Sequence, residues 1–432
     1  MKKYSIGLDL GTSSVKAVLF DGENVIEKCS LPFTIKKCTL KDGAEYKGFS
    51  VSEYSETVFS VISKLAKVVG GNVYGIAMAA ASGNTVICDK ANNAMIDAYS
   101  WTTPAFEKES QSVYGTLDSK SVARVGGWQY YGTFPLSHLA HVKTHRPEIL
   151  NNCGMICTST EYLLYKMTGK WGMDRSCAVP FYLLEQETGK WHKPYLDALS
   201  VTEDKLPKVY NCGDLLGTIT KDFALKYGIN NDCKVFMGSF DHPSGAIANN
   251  VVNQGELLLS CGTSWVIFFP FSDREKLIEN NILCDTFLSK EKGLWGAMCS
   301  IAQVSGKIDK IIDKLFPGDN KFQLFNEYSK KASRGAGGLT INPVLDADND
   351  YSKYPKENVA RALMEGAANM LKEKIEQLGQ IGVKFKSAKM AGGPSKSDVW
   401  VDVIRYTLNI PVEVVYGVDS GAVGCVKRIY ER

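Results

Sequence analysis

One short device, used twice, restricts this chain more than any other feature. Residues Tyr4-Ser5-Ile6-Gly7-Leu8-Asp9-Leu10 alternate apolar positions, stop at Gly11-Thr12-Ser13-Ser14, and give way to a second strand pattern over 15–20. Much later, Glu256-Leu257-Leu258-Leu259-Ser260-Cys261 runs into Gly262-Thr263-Ser264, and a strand pattern resumes from Trp265. Each reads as a β-hairpin closed by a Gly-Thr-Ser turn. The same unit near the start of each half of a 432-residue chain points to a duplicated lobe, and the length itself exceeds one ordinary core. Two related lobes facing one another would bring both turns to one cleft.

Between and after the hairpins, helices and strands alternate. Helical apolar spacing covers 52–69 and 134–145, and 73–80 reads as a buried strand. The first lobe is expected to span 1–238 and the second 239–432, the boundary following the apolar strand Lys234-Val235-Phe236-Met237-Gly238. The second lobe carries a long helical pattern over 356–378, a strand over 388–391, a Gly392-Gly393-Pro394 turn and a helix over 397–408. The fold class is therefore α/β, with sheets sandwiched by helices in both lobes.

Composition narrows the function classes. The chain is 44% hydrophobic and 22% charged, with net charge +3 and both signs interspersed. That is the balance of a globular protein, without the basic stripe a nucleic-acid partner requires. No apolar run is long enough to cross a bilayer, and Met1-Lys2-Lys3-Tyr4 leads straight into a strand, so a cytoplasmic protein is expected. The twelve irregularly spaced cysteines read as reduced thiols filling small apolar positions.

Gly11, Thr12, Ser13 and Ser14 offer backbone N–H groups and hydroxyls suited to phosphate oxygens, with Asp9 upstream to hold a hydrated Mg²⁺. Such turns also serve as plain hairpin connections. Two of them, one beside a carboxylate, favour a nucleoside triphosphate gripped through Gly262, Thr263 and Ser264 as well. Lys16 is a secondary phosphate contact or a solvated strand residue. Asp241 follows a short apolar strand and precedes His242-Pro243. It reads as the base that takes a proton from an attacking hydroxyl, or as a helix N-cap. Gly392, Gly393 and Ser397 lie between strand and helix, where a flat base approaches backbone. Asp419-Ser420-Gly421-Ala422-Val423-Gly424 opens a helix by close packing or by ligand contact. His138, His141 and His145 share a helical face, but the helix is otherwise an ordinary amphipathic one and no metal is assigned to it.

Taken together these residues resemble the FGGY carbohydrate kinases. Asp9-Leu10-Gly11-Thr12-Ser13-Ser14-Val15-Lys16 is similar to the family's first phosphate motif, Cys261-Gly262-Thr263-Ser264 to its second, and the run from Gly392 to Trp400 to its adenosine-side motif. Asp241 stands where the family has its catalytic base, and Tyr162 to Gly169, Asp174 and Gly189-Lys190-Trp191 continue the likeness. The resemblance implies two actin-like (ribonuclease H-like) lobes with a central cleft, ATP and Mg²⁺ as cofactors, and a sugar or polyol bound mainly by the first lobe through Trp101, Thr103 and Asp241. It leaves a homodimer open.

The departures fall on the sugar side. Where many members read Trp-x-Asp-x-Arg, this chain has Trp101-Thr102-Thr103-Pro104-Ala105, and Ala81 replaces a frequent Gln. Lost polar groups change which hydroxyl pattern is accepted. A sugar acid, methylpentulose or larger ketose is therefore an alternative acceptor, and a nucleotide-dependent switch that transfers no phosphate is a reading from another class.

Overall fold

The period-two pattern at the amino terminus folds so that its two faces meet two different helices. In the computed structural model, which describes residues 2–262, 264–415 and 419–431, strand β1 (Ser5–Leu10) turns into β2 (Ser14–Phe20), with Gly11 N–H donating to Ser14 O at 3.1 Å. Strand β3 (Val25–Pro32) continues the meander, and β4 (Gly75–Ala80) pairs with β1 in parallel. On one face Ile6, Leu8, Val15, Ala17, Ile76 and Met78 join a core with helix α1 (Val51–Val68). On the other, Val18, Phe20, Ala77 and Ala79 pack against the chain's last helix (Ser420–Tyr430). A sheet covered on both sides needs apolar residues at consecutive positions, which is why 75–80 are all buried.

Helix α1 forms because Ser50 caps it, its side chain accepting from Glu53 N–H, and because Val58, Ile62 and Leu65 recur on one face. Burying each such side chain contributes about 1.5–3 kcal/mol. Helix α2 (Pro135–His145) starts on a proline, and α3 (Ser159–Thr168) on a capping box between Thr158 and Glu161. The sheet is completed by β5 (Leu215–Thr218) and β6 (Lys234–Phe236) in the order β5-β6-β4-β1-β2-β3, with β7 (Ser239–Phe240) also on β4.

The compact units divide differently from the expected 1–238 and 239–432. One unit comprises Met1–Asn250, Leu277–Trp295 and Asp419–Arg432; the other comprises Val251–Lys276 and Gly296–Val418. Residues 239–250 stay with the first because β7 pairs in parallel with β4 (Ser239↔Ala79, Phe240↔Ala80) and helix α4 (Asp241–Ala248) packs on the last helix. That packing depends on Gly424, where a Cβ would stand 1.8 Å from Ser244 O. Sequence proximity favoured a clean break; pairing between distant segments decided otherwise.

The second unit repeats the hairpin. Strand β8 (Glu256–Cys261) turns into β9 (Trp265–Phe271), and its sheet continues through β10 (Leu294–Ile301), β11 (Ser387–Gly392) and β12 (Val412–Val414) in the order β10-β9-β8-β11-β12. Helices α5 (Val304–Leu315), α6 (Lys321–Lys331), α7 (Lys356–Gln380) and α8 (Asp398–Leu408) follow, and the last helix is α9 (Ser420–Tyr430). All twelve cysteines are free thiols. Among the described residues no helix is long and apolar enough to cross a membrane.

Candidate functional site

In the first unit, β1 and β7 both run parallel to β4, so Leu10 and Phe240 each stand beside Ala80 and their carboxyl ends emerge together. Ligands of open α/β sheets bind beyond such ends. Asp9 is the penultimate residue of β1, Asp241 follows β7 directly, and Asp419 precedes α9. Across the hairpin Asp9 pairs with Lys16, which points to solvent. Helix α9 presses close: a Cβ on Gly421 would stand 2.9 Å from Asp9 Cγ. Burial, and then the charge of Asp241, push the Asp9 carboxyl up to about 6, with Lys16 opposing and Asp419 adding to the rise. A half-buried carboxylate beside two others in excess of local cations suits an oxygen-seeking divalent ion, so the residues fit Mg²⁺.

Asp241 is the first residue of α4, whose N-cap is Phe240, with no side-chain cap bond. Its Oδ1 accepts only from its neighbour, His242 N–H, at 2.7 Å, and Oδ2 has no partner among the described residues. The N-cap alternative therefore does not describe this carboxylate, although its charge suits the helix start. What fixes the backbone there is a buried relay that the sequence did not disclose. Ser176 Oγ accepts from Phe240 N–H at 3.1 Å and donates to Asp285 Oδ2 at 2.7 Å. Asp174 Oδ1 accepts from Ser176 N–H and Cys177 N–H, and Phe287 N–H donates to Asp285 Oδ1. Burial pushes Asp285 up to about 7 and Asp174 up to about 6. Asp285 sits 109 positions from Ser176 in an ordinary strand pattern, so no local signal could have found it.

Beside the Gly11 turn a small hollow is lined by Gly11, Thr12, Tyr54, Ala81, Asn84, Ser100, Trp101 and Ser159. Trp101 is thus brought to the phosphate-type turn. Thr103 is not: it is buried, and its Oγ1 accepts from Lys47 N–H at 3.0 Å, which holds a turn rather than facing the hollow. Asn84, which the sequence reading passed over, reaches the hollow while bonded both ways to Ser159, Oδ1 accepting from N–H at 2.6 Å and Nδ2 donating to Oγ at 3.1 Å. Ser13 and Ser14 close the hairpin, Ser13 O accepting from Phe33 N–H.

In the second unit β8 and β11 are parallel with Cys261 beside Gly392, so the Gly262 and Gly393 turns leave the sheet at the same end. Gly392 has φ +106°, and a Cβ there would meet Cys261 O at 2.2 Å, so only glycine serves. A cavity of about 580 Å³ opens between them, with Trp265, Ile308, Phe322, Phe325 and Trp400 as apolar wall and Asn326 and Ser397 as polar members. Ser397 Oγ donates to Asn326 Oδ1 at 2.9 Å, and Ser305 Oγ bonds Gly262 O. Ser264 Oγ accepts from Gln303 N–H at 3.3 Å. Nothing lies within 4 Å of a Cβ placed on Gly393, which leaves backbone open to a flat ligand. Thr263 lies outside the described residues. An apolar slot with few polar groups is the form of a small-molecule site.

Comparison with known proteins gives this geometry a context. The model for the FGGY family of carbohydrate kinases, N-terminal domain, matches residues 4–248. Among curated proteins, a xylulose kinase of Bacillus subtilis is 24% identical, covering 98% of this chain and 87% of that protein. A gluconokinase of the same organism is 20% identical, covering 100% and 88%. The crystal structure of a xylulose kinase from Rhodospirillum rubrum superposes with TM-score 0.87 at 19% identity, over 99% of this chain and 90% of that one. That likeness carries the fold, α/β with two actin-like lobes.

Proposed function

This chain belongs to the FGGY family of carbohydrate kinases, and from that premise we propose that Asp241 is the base that activates a sugar or polyol hydroxyl for attack on the γ-phosphoryl group of Mg-ATP. The observation that carries the assignment is the joint emergence of β1 and β7, which sets Asp9 and Asp241 at one edge of one sheet. Asp241 keeps one oxygen uncommitted and is held by backbone tied to Ser176, so it can accept a proton without rearranging. Asp9 would hold hydrated Mg²⁺, which supplies charge neutralisation on the phosphates. The hydroxyls of Thr12, Ser13 and Ser14, the backbone N–H groups of Thr12 and Ser13 and the exposed Lys16 are the first unit's candidates for phosphate contact, Gly11 N–H being committed to Ser14 O; Gly262, Thr263 and Ser264 are the candidates within the second unit. The slot beside Gly392, Gly393 and Ser397 takes the adenosine.

The acceptor sits against Trp101, with Asn84 in place of the polar groups that Ala81 and Ala105 lack. Thr103 contributes through the turn it holds rather than by contact. The relatives include both a xylulose kinase and a gluconokinase, so ketoses and sugar acids are the classes to assay first, with methylpentuloses and larger ketoses next. Family membership sets aside a switch without phosphoryl transfer. A need for ATP makes the cytoplasm the compartment we infer.

Asp241→Asn tests the base. It keeps size and hydrogen bonding but accepts no proton, so kcat should fall by roughly 10²–10⁴ while ATP affinity and Tm hold. Turnover near that of the wild type would remove Asp241 from the chemistry.

A further inference from the structure

Helix α2 carries His141 and His145 one turn apart, and their ring centroids lie 4.5 Å from each other. The helix Glu107–Tyr114 packs on α2 and brings Glu109 to them, Oε1 standing 3.4 Å from His145 Nε2. One donor atom from each of Glu109, His141 and His145 falls within 4.8 Å of the others. The remaining ring nitrogens are already occupied. Tyr99 Oη lies 2.9 Å from His141 Nδ1, and Asp42 Oδ2 lies 2.9 Å from His145 Nδ1. A hydroxyl or carboxylate on one nitrogen fixes the tautomer of a metal-binding imidazole and turns the other lone pair toward the ion.

We propose that Glu109, His141 and His145 bind a divalent transition-metal ion, zinc being the ion their donors suit, with Asp42 and Tyr99 orienting the two rings. Two imidazoles and a carboxylate are the protein ligands of an open tetrahedral site, whose fourth position water fills. Bonds of about 2.0–2.2 Å would set the donor atoms about 3.4 Å apart, so the present spacing asks for an inward shift of under about 1 Å per ligand. The Glu109 and His145 side chains are 22% and 29% exposed, which leaves them room to move and solvent a way in. His138, on the same face, is excluded: Thr85 Oγ1 and Thr133 O occupy both its nitrogens at 2.9 Å. Magnesium prefers an all-oxygen shell, so this site is chemically distinct from that of Asp9. An ion here would clasp two helices and, through Tyr99, the strand Ala98–Tyr99 that leads to Trp101.

The test uses the full chain, dialysed against chelator and titrated with zinc chloride. One equivalent should bind with Kd at or below about 1 µM, raise Tm, and, when cobalt(II) replaces zinc, give the visible absorption of a low-coordinate ion. Glu109→Gln and His145→Gln should each weaken binding at least tenfold, and Asp42→Asn, an outer substitution on a 38%-exposed side chain, by about 10–100-fold. Circular dichroism confirms that each variant is folded, and Asp42→Asn alone suffices if a ligand variant is not. Mg-ATP turnover by metal-free protein should match in wild type and Glu109→Gln. No zinc bound by the wild type, or equal affinity in wild type and the folded variants because thiols elsewhere capture the metal, overturns the site.

Discussion

Replacing Asp9 with asparagine should make the protein more stable while destroying its activity. The Asp9 carboxyl stands at about 6 in place of 3.8, through burial first and the charge of Asp241 next. At about 1.4 kcal/mol per unit, the rise of roughly two units sets a ceiling of about 3 kcal/mol on what ionised Asp9 takes from the native state at neutral pH. The sign follows from proton binding. Between pH 4 and 6 the folded form holds this proton and the unfolded form does not. Stability from this group is therefore complete below about 4 and disappears as pH rises through about 6. Asparagine carries no charge at any pH. Differential scanning calorimetry without magnesium should show Asp9→Asn melting higher than the wild type at pH 8, by up to about 6 °C for a unit of this size, and no higher at pH 4. Phosphoryl transfer should fall by roughly 10³ or more as charge neutralisation at the phosphates is lost. A variant no more stable at pH 8, or equally stabilised at pH 4, refutes the claim that crowded, buried charge is stored at this position.

Ser397→Ala removes the hydroxyl that bonds Asn326 in the slot of the second unit; KM for ATP should rise about threefold to tenfold, near the worth of one hydrogen bond, with KM for the acceptor unchanged in steady-state kinetics. In a coupled assay over ketoses, sugar acids and polyols, D-xylulose should trail the best acceptor at least about tenfold in kcat/KM, because Asn84, in place of the polar groups that Ala81 and Ala105 lack, presents a different hydroxyl-matching pattern. D-xylulose as the best substrate would refute that reasoning.

The sequence by itself determined what is local. Both hairpins, the buried strand expected over 73–80 and found at Gly75–Ala80, the long helix expected over 356–378 and found to end at Gln380, and the Gly392-Gly393 turn were legible because periodicity and turn chemistry are written within a few residues. The placing of Asp9 near the end of a strand and of Asp241 just after one was legible for the same reason. Tertiary structure decided what distant segments do to one another. Only the pairing of β7 with β4 joins Asp241 to the sheet that carries Asp9, and burial, to which the close passage of α9 at Gly421 contributes, together with the charge of Asp241 raises the Asp9 carboxyl. The resemblance suggests Thr103 as a substrate contact by its place in the motif that begins at Trp101; in the fold its hydroxyl accepts from Lys47 N–H, a partner that position along the chain does not disclose. Asp285, Asn84 and the grouping of Glu109 with His141 and His145 left no mark in the sequence, since each acts through a partner brought near by packing rather than by spacing along the chain.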